Sequence, residues 1–444
     1  MSDEQPLNRP NIIWIFGDQH RGQALGFRGD PNARTPQIDR LAREGVVFTQ
    51  AVSGSPLCCP FRGSLISGRY PHEAVPGHQC PLDPALPTVA HAFNAQGYET
   101  AYFGKWHLDG FDERTATVAS HIVPPERRGG FRTWCAYQNN TGAFSGWIHG
   151  GAGETAFHRQ LPGYETDALT DLLIGQLREY AAGQRPFFSV LSVQPPHQPY
   201  LAPEEWMNRH RAEDMFLPPN VPPYPELQEQ VRRDLAGYHA MIENLDWNLG
   251  RIRAALDELG LAANTHILFF SDHGDMHGAH GQFRKTSPCE ESIRIPCILG
   301  GSVPGLKSGE RDHVFNHVDF APTSLGLCGL DVPAHFVGTD YSAERLPGRA
   351  APAYPDSAYL QIIGPTAFRF SVDRPWRGVV TRDGWKYVVL EGQPWMLFNL
   401  NEDPYELVNL AHTRGSADRR RQLHADLAAW IERTGDSFRL PDPP

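Results

Sequence analysis

Hydrophobic residues in this chain fall into short unbroken runs, separated by stretches of helical period. The run NIIWIF (11–16) is apolar at consecutive positions, the pattern of a strand covered on both faces. YETAYFG (98–104), PFFSVLSV (186–193) and THILFFS (265–271) read the same way. Helical segments lie between them. TPQIDRLAREG (35–45) opens with a Thr N-cap, places Pro at the first helical position and stops at Gly. PTVAHAFNAQG (87–97) has related start and stop signals. Residues 165–183 and 227–260 predict two longer helices, the second kinked at Gly237. This alternation predicts an α/β fold with a mostly parallel central sheet flanked by helices. The tail breaks the pattern. Residues 377–400 contain strand runs split by turn signals such as Arg382-Asp383-Gly384, and a helix follows near 416–433. A small C-terminal antiparallel sheet plus helix is therefore expected. The Pro- and Gly-rich stretch around 333–365 places the boundary, giving a catalytic unit of 1–365 and a smaller α+β unit of 366–444.

Composition narrows the picture. With 444 residues, 40% of them hydrophobic, the chain can bury a sizeable core. A net charge of −11 argues against non-specific binding to nucleic acid or an anionic membrane, so an anionic substrate needs a local cluster of cations. The first residues, MSDEQPLNRPN, lack the basic-then-apolar order of a secretory signal, and no apolar run is long enough to span a bilayer. The seven cysteines are odd in number and form no framework spacing, which fits reduced thiols and a cytoplasmic location. A homo-oligomer is left open; FLPPNVPPYPEL (216–227) reads equally as a site rim or a subunit contact.

Candidate chemistry collects at strand ends. Gly17-Asp18-Gln19-His20 follows the first strand, Gly104-Lys105-Trp106-His107 the second, Gln194-Pro195-Pro196-His197 the third and Asp272-His273-Gly274-Asp275 the fourth. In an open parallel sheet, ligands bind beyond the carboxyl ends of the strands. If these strands are neighbours, one edge holds carboxylates, imidazoles and a lysine, the mixture a metal site facing an anion requires. Asp18, Asp272 and one nitrogen of His273 make a mostly oxygen donor set, favouring Ca²⁺, Mg²⁺ or Mn²⁺ over zinc, despite His277 and His280 nearby. The stretch SGSPLCCPFRGSLISGRYPH (53–72) adds Cys58 and Cys59 at a helix entrance, with Pro60 fitting the first turn. Free N–H groups and the helix dipole there favour anions and lower thiol pKa, and Arg62 lies on the same turn. Taken alone, the pair describes at least as well two buried small side chains beside a capped helix.

The wider set of motifs resembles the type I sulfatases of the alkaline phosphatase superfamily. The signature Cys-x-Pro-x-Arg is matched by Cys58, Pro60 and Arg62, followed by Ser67-Gly68-Arg69. RPNIIWIFGDQ, TPQIDRLAREGVVFTQA, GYETAYFGKWH, PPHQPY, SDHGDMHGAHGQFRK and LFNLNEDPYELVNLA match in order over nearly the whole chain. The resemblance implies an alkaline-phosphatase-like fold and conversion of Cys58 to Cα-formylglycine by a separate maturation enzyme. The hydrated aldehyde would then be the nucleophile for hydrolysis of aryl or small organic sulfates. It implies a metal held by Asp18, Cys58 (as formylglycine), Asp272 and His273, with Ca²⁺ or Mn²⁺ ahead of Mg²⁺. Arg62 and Lys105 would steady the diol and ester, and His107 would collapse the covalent intermediate. His197 and Lys285 would act at the leaving group, and Gln19, Lys105, His197 and Lys285 would contact substrate.

Three positions depart from the commonest pattern. Phe61 stands where serine is usual, Gln19 replaces a second aspartate, and His273 stands where many calcium sulfatases have Asn. These choices resemble the branch of bacterial arylsulfatases, choline sulfatases and phosphonate monoester hydrolases, so a phosphonate monoester or phosphodiester is the alternative substrate. Tyr137, Trp147 and His149, in the Gly- and aromatic-rich stretch 109–165, are candidates for a pocket wall, or for a loop packed on the body.

Overall fold

The computed structural model describes residues 9–110, 120–140, 142–366 and 371–442. The chain opens with β1 (Asn11–Gly17), α1 (Pro36–Glu44), β2 (Val46–Val52), α2 (Cys58–Ser67), α3 (Val89–Ala95) and β3 (Glu99–Lys105). Three strands follow, β4 (Thr133–Tyr137), β5 (Trp147–Gly150) and β6 (Phe157–Gln160). Next come α4 (Glu165–Gly183), β7 (Phe187–Val193), the short α5 (Glu204–Met207), α6 (Pro225–Glu258) and β8 (Thr265–Ser271). A short α7 (Glu290–Ile293) precedes β9 (Cys297–Gly300), β10 (Gly309–Asn316) and α8 (Phe320–Leu327). The tail holds β11 (Ser357–Ile362), β12 (Trp376–Thr381), β13 (Trp385–Leu390), β14 (Gln393–Asn399) and α9 (Ala417–Thr434).

Ten strands form one sheet in the order β10-β2-β9-β8-β1-β7-β3-β4-β5-β6. Its centre, β8-β1-β7-β3-β4, is parallel throughout. β9 runs antiparallel to both β8 and β2, and β5 and β6 turn antiparallel at the other end. Alternation along β1 builds a core on each face. Ile12, Trp14 and Phe16 pack with Phe61 and Leu65 of α2, Phe93 of α3 and Phe320 of α8. Ile13 and Ile15 pack with Ile38 and Leu41 of α1, Leu169 and Leu173 of α4 and Leu245 and Leu249 of α6. No helix among the described residues is long and apolar enough to cross a membrane.

Two expectations change here. The helix α6 runs unbroken through Gly237. A Cβ at that position would collide with the carbonyl oxygen of Tyr200, so the glycine permits close approach of a neighbouring segment rather than a kink. The stretch 109–165, read as loop, instead contributes three strands to the sheet edge. Tyr137 is buried and donates to Glu165 Oε1 at 2.5 Å, and His149 accepts from the N–H of Val123 at 2.9 Å. Both serve the body of the fold, while half-buried Trp147 packs against the His158 ring.

The antiparallel sheet β11-β12-β13-β14 is covered on both faces. Leu360, Trp376 and Val388 pack against Val52, Leu57, Ile293 and Val314 of the main unit, while Tyr359, Val379 and Leu397 lie under Leu423, Leu427 and Trp430 of α9. Polar contacts tie this sheet to the strand-end loops. Gln361 N–H donates to Gly54 O at 2.7 Å and Trp376 Nε1 to Thr286 O at 2.9 Å. Lys386 Nζ, fully buried, donates to Pro288 O and pairs with Glu290 at 3.2 Å and with Glu406.

Candidate active site

Because β8, β1, β7 and β3 are adjacent and parallel, their carboxyl ends deliver Asp272, Asp18, His197 and Lys105 to one edge. The helix α2 brings Cys58 to the same place as its first residue. All ten residues of α2 are buried, and Gly63 fits because a Cβ there would collide with Val75. The sequence-predicted set is therefore assembled at one edge from five separate segments.

The two carboxylates divide their oxygens. Asp18 Oδ2 accepts from Lys105 Nζ at 2.6 Å and from Arg62 at 3.2 Å, and Asp272 Oδ2 accepts from Arg62 Nε at 3.2 Å. The other oxygens face inward, with His273 Nε2 3.8 Å from Asp18 Oδ1 and 3.7 Å from Asp272 Oδ1. Cys58 Sγ lies 3.2 Å from His273 Nε2 and 3.7 Å from Asp18 Oδ1. His273 Nδ1 lies 3.0 Å from Gly274 O, so this nitrogen carries the hydrogen and Nε2 presents a lone pair to the cluster. Asp18, Cys58, Asp272 and His273 offer donor atoms that all lie within 4.8 Å of one another, every residue buried. Two carboxylates and one oriented imidazole fit a hard divalent cation.

Cations surround this cluster. Lys285 Nζ donates to Cys58 Sγ at 2.9 Å and lies 3.2 Å from His197 Nε2. His197 Nδ1 lies 2.8 Å from Gln198 O, which fixes the hydrogen there and leaves Nε2 to accept from Lys285. Burial pushes the Asp18 carboxyl up, but Lys105, Lys285 and Arg62 together hold it well below its usual value. Burial and Asp18 likewise raise the Cys58 thiol, and Lys285, Lys105 and His273 outweigh them and bring it below the usual thiol value. At neighbouring Cys59, Lys105 and Arg62 are too weak to offset burial and the adjacent Cys58, which drive it up to about 12. The two thiols, adjacent in sequence, are thus electrostatically opposite.

Other predicted residues take definite places. Arg62 is spent on structure: besides the carboxylates, it donates to Lys105 O and Ser192 Oγ, both at 2.8 Å. Gln19 Nε2 donates to Asp275 Oδ2 at 2.5 Å and to Gln198 Oε1 at 2.9 Å, leaving its buried Oε1 without a partner among the described residues. His107 is buried beside Lys105, neither ring nitrogen has a hydrogen-bond partner among the described residues, and burial followed by Lys105 holds it neutral. Its ring lies 5.4 Å from that of His78. His277 packs on Tyr238 and points toward Asp275, away from any zinc-like set with His280. Sequence reading passed over Ser192 and Asp275 as functional residues. Ser192 lies hidden inside an apolar strand run, whereas Asp275 closes the SDHGD motif at the end of β8.

Comparison with known proteins identifies the family. The sulfatase family pattern matches residues 10–330, and that of the N-sulphoglucosamine sulphohydrolase C-terminal region matches 278–433. An ulvan-active sulfatase of Formosa agariphila is 33% identical over 457 residues, covering 98% of this chain and 83% of that protein. An endo-4-O-sulfatase of Bacteroides thetaiotaomicron is 30% identical over 492 residues, covering 98% and 94%. The solved structure of the sulfatase yidJ from Bacteroides fragilis superposes with a TM-score of 0.87 at 28% identity, covering 99% of this chain and 98% of that one. With cysteine, carboxylates and imidazole assembled at the strand ends, the chain belongs to the sulfatase family of the alkaline phosphatase superfamily and is a sulfuric ester hydrolase.

Proposed function

We propose that this chain hydrolyses sulfate monoesters of small organic, aryl or saccharide alcohols after conversion of Cys58 to Cα-formylglycine, with one divalent cation held by Asp18, Asp272 and His273. The observation that carries this reading is the position of Cys58 Sγ, which faces His273 Nε2, Asp18 Oδ1 and Lys285 Nζ together. A hydrated formylglycine supplies an oxygen nucleophile and a second hydroxyl whose deprotonation expels sulfate. A bound Ca²⁺ or Mn²⁺ supplies charge to the ester oxygens and lowers the nucleophile's pKa, with Mg²⁺ less suited to so enclosed a set.

The chain's own residues then have distinct tasks. Arg62 and Lys105 hold the Oδ2 atoms of the carboxylates, while both Oδ1 atoms face the cluster, that of Asp272 also accepting from the N–H groups of Gln19 at 3.0 Å and His273 at 2.9 Å. Lys285 reaches the nucleophile position and His197 at once, so it would bind a non-bridging oxygen and, together with His197, act at the leaving oxygen. His107, neutral and with neither ring nitrogen partnered among the described residues, would take the proton of the second hydroxyl. Gln19 Oε1 is left for substrate. The names of the two relatives, one ulvan-active and one an endo-4-O-sulfatase, support a saccharide sulfate.

The uncharged Gln19 favours a second reading, a phosphonate monoester or phosphodiester, because one carboxylate fewer eases approach of a phosphorus ester beside Lys105 and Lys285. The test compares kcat/KM for an aryl sulfate and a phenylphosphonate monoester sharing one leaving group. The protein is co-expressed with a formylglycine-generating enzyme, its conversion verified by peptide mass spectrometry, and loaded with Ca²⁺ or Mn²⁺ in turn. Sulfate preference is expected, with Cys58→Ala losing about 10⁴-fold or more and Lys285→Ala about 10²–10³-fold. A Cys58 that stays wholly thiol beside an active maturation enzyme, or a phosphonate preference, overturns the reading.

A further inference from the structure

A cleft of about 690 Å³ lies between the loop after β1, Thr49 and Gln50 of β2 and the turn after β14, and it contains none of the residues assigned to hydrolysis. Its volume falls within the ordinary range of ligand sites. Three guanidiniums line it, from Arg21, Arg28 and Arg294. Arg294 is committed to Glu290 at 2.7 Å. Arg21 is not committed: it is 5% exposed, its side chain makes no hydrogen bond and no ion pair within 4.0 Å among the described residues, and its Nε is buried unpaired. A buried charge without a close partner costs several kcal/mol as a rule, and Asp30 acts on this guanidinium only from beyond 4.0 Å, so an anion in the cleft would supply the contact it lacks. Arg28 has only a loose contact, 4.0 Å from Glu310, and burial followed by Arg294 pushes its guanidinium below the usual value. An anion there relieves both groups.

The remaining wall narrows the ligand. Asp30 and Glu291 also line the cleft, and Glu291 Oε2 is buried without a hydrogen-bond partner among the described residues. A bare inorganic anion would meet these carboxylates as repulsion. A hydroxyl-rich anion uses them as acceptors while its acidic group takes the guanidiniums. Phe216 and Tyr405, 54% and 39% exposed, sit on the same wall and offer flat apolar faces to sugar rings. We propose that this cleft binds an anionic oligosaccharide, a sulfate or carboxylate lying against Arg21 and Arg28, ring hydroxyls donating to Glu291 and Asp30, and a ring face resting on Phe216 or Tyr405. The proposal goes beyond hydrolysis at Cys58, and the two fail separately.

The experiment is calorimetric titration of the full chain carrying Cys58→Ala, which prevents turnover, with a heparin tetrasaccharide bearing both sulfate and uronate groups. Arg21→Gln and Phe216→Ala are compared in that background, and hydrolysis of a small aryl sulfate is measured with Cys58 intact. The expected result is tetrasaccharide binding that weakens at least tenfold in Arg21→Gln and in Phe216→Ala, while aryl sulfate turnover by both stays within twofold. Phe216 is a surface residue, so its variant carries the test if Arg21→Gln fails to fold. Absence of tetrasaccharide binding, or binding that stays within twofold in the variants, overturns the proposal whether or not the aryl sulfate is hydrolysed.

Discussion

Asp275 touches neither Cys58 nor the inward-facing oxygens, yet it gathers the segments that do. Its Oδ2 accepts from Gln19 Nε2 and Tyr200 OH, both at 2.5 Å, and its Oδ1 from the N–H groups of His277 at 3.1 Å and Arg284 at 2.9 Å. Gln19 follows Asp18, Tyr200 lies three residues beyond His197, and Arg284 precedes Lys285. Asp275→Asn keeps the shape but turns an amide N–H₂ toward these donors. A displacement near 1 Å costs up to about 10²-fold in rate. The variant is expected to lose about tenfold or more in kcat with little change in melting temperature; steady-state kinetics beside a thermal melt check it, and an unchanged kcat refutes it. His149 makes a second prediction. Its Nε2 accepts from Val123 N–H and Trp134 Nε1, and burial followed by Arg128 holds its pKa down to about 3. The unfolded chain takes up a proton below about 6.5, whereas the folded form resists it until about 3. The stability this neutral imidazole provides is present above pH 6.5 and falls as pH drops toward 3, by on the order of 2 kcal/mol at pH 5. Guanidinium unfolding of wild type and His149→Gln at pH 7.5 and 5 measures it; an equal pH loss in both sinks the idea.

At the scale of elements, legibility followed burial pattern. THILFFS and residues 165–183 form β8 and α4 to the residue, because an apolar run on both faces and a long amphipathic helix leave few alternatives. β2, β9 and β10 were not read as strands. VVFTQAV follows directly on the first helix, CILG has four residues, and GERDHVFN is polar for most of its length at the sheet's edge. β4 to β6 were hidden in a stretch whose glycines signal turns while its strand pairs form only through tertiary contact. The motifs at the strand ends were legible because loop chemistry there is not needed for packing. The spending of Arg62 on the carboxylates was not, since it depends on geometry across four segments. Gly237 shows the limit of propensity: only a neighbour, Tyr200, explains it. Gly237→Ala should therefore destabilise rather than stiffen α6, by about 1–3 kcal/mol, and should lower kcat by shifting the Tyr200 segment. Denaturant midpoints test this, and a more stable variant contradicts it.

For the whole molecule, the C-terminal sheet is a brace rather than an appendage. Lys386, buried with Glu290 and Glu406, also holds Pro288 O, three residues from Lys285. Removing one partner of a buried ionic cluster costs about 3–5 kcal/mol. Lys386→Met is expected to lower stability by that order and to reduce kcat/KM through the loosened Lys285 segment, read by thermal melts and aryl sulfate kinetics; unaltered values in both would detach the sheet from the site. The proposed cation would act on the same global equilibrium. Ca²⁺ or Mn²⁺ at about 100 times its dissociation constant should stabilise the fold by about 2.7 kcal/mol. That gain is expected to vanish in Asp18→Ala, with a melting shift that persists in the variant counting against the assigned donors. The enclosure of α2 has a further meaning for the life of the protein. Cys58 is fully buried at the head of a helix with no exposed residue. Its sulfur has no exposed surface in the folded chain, so the proposed oxidation to formylglycine would belong to the interval between synthesis and folding. Under the proposed conversion of Cys58, folding speed and maturation speed would compete once per molecule, a copy that folds first would stay silent, and the active fraction of a preparation would record the outcome of that race.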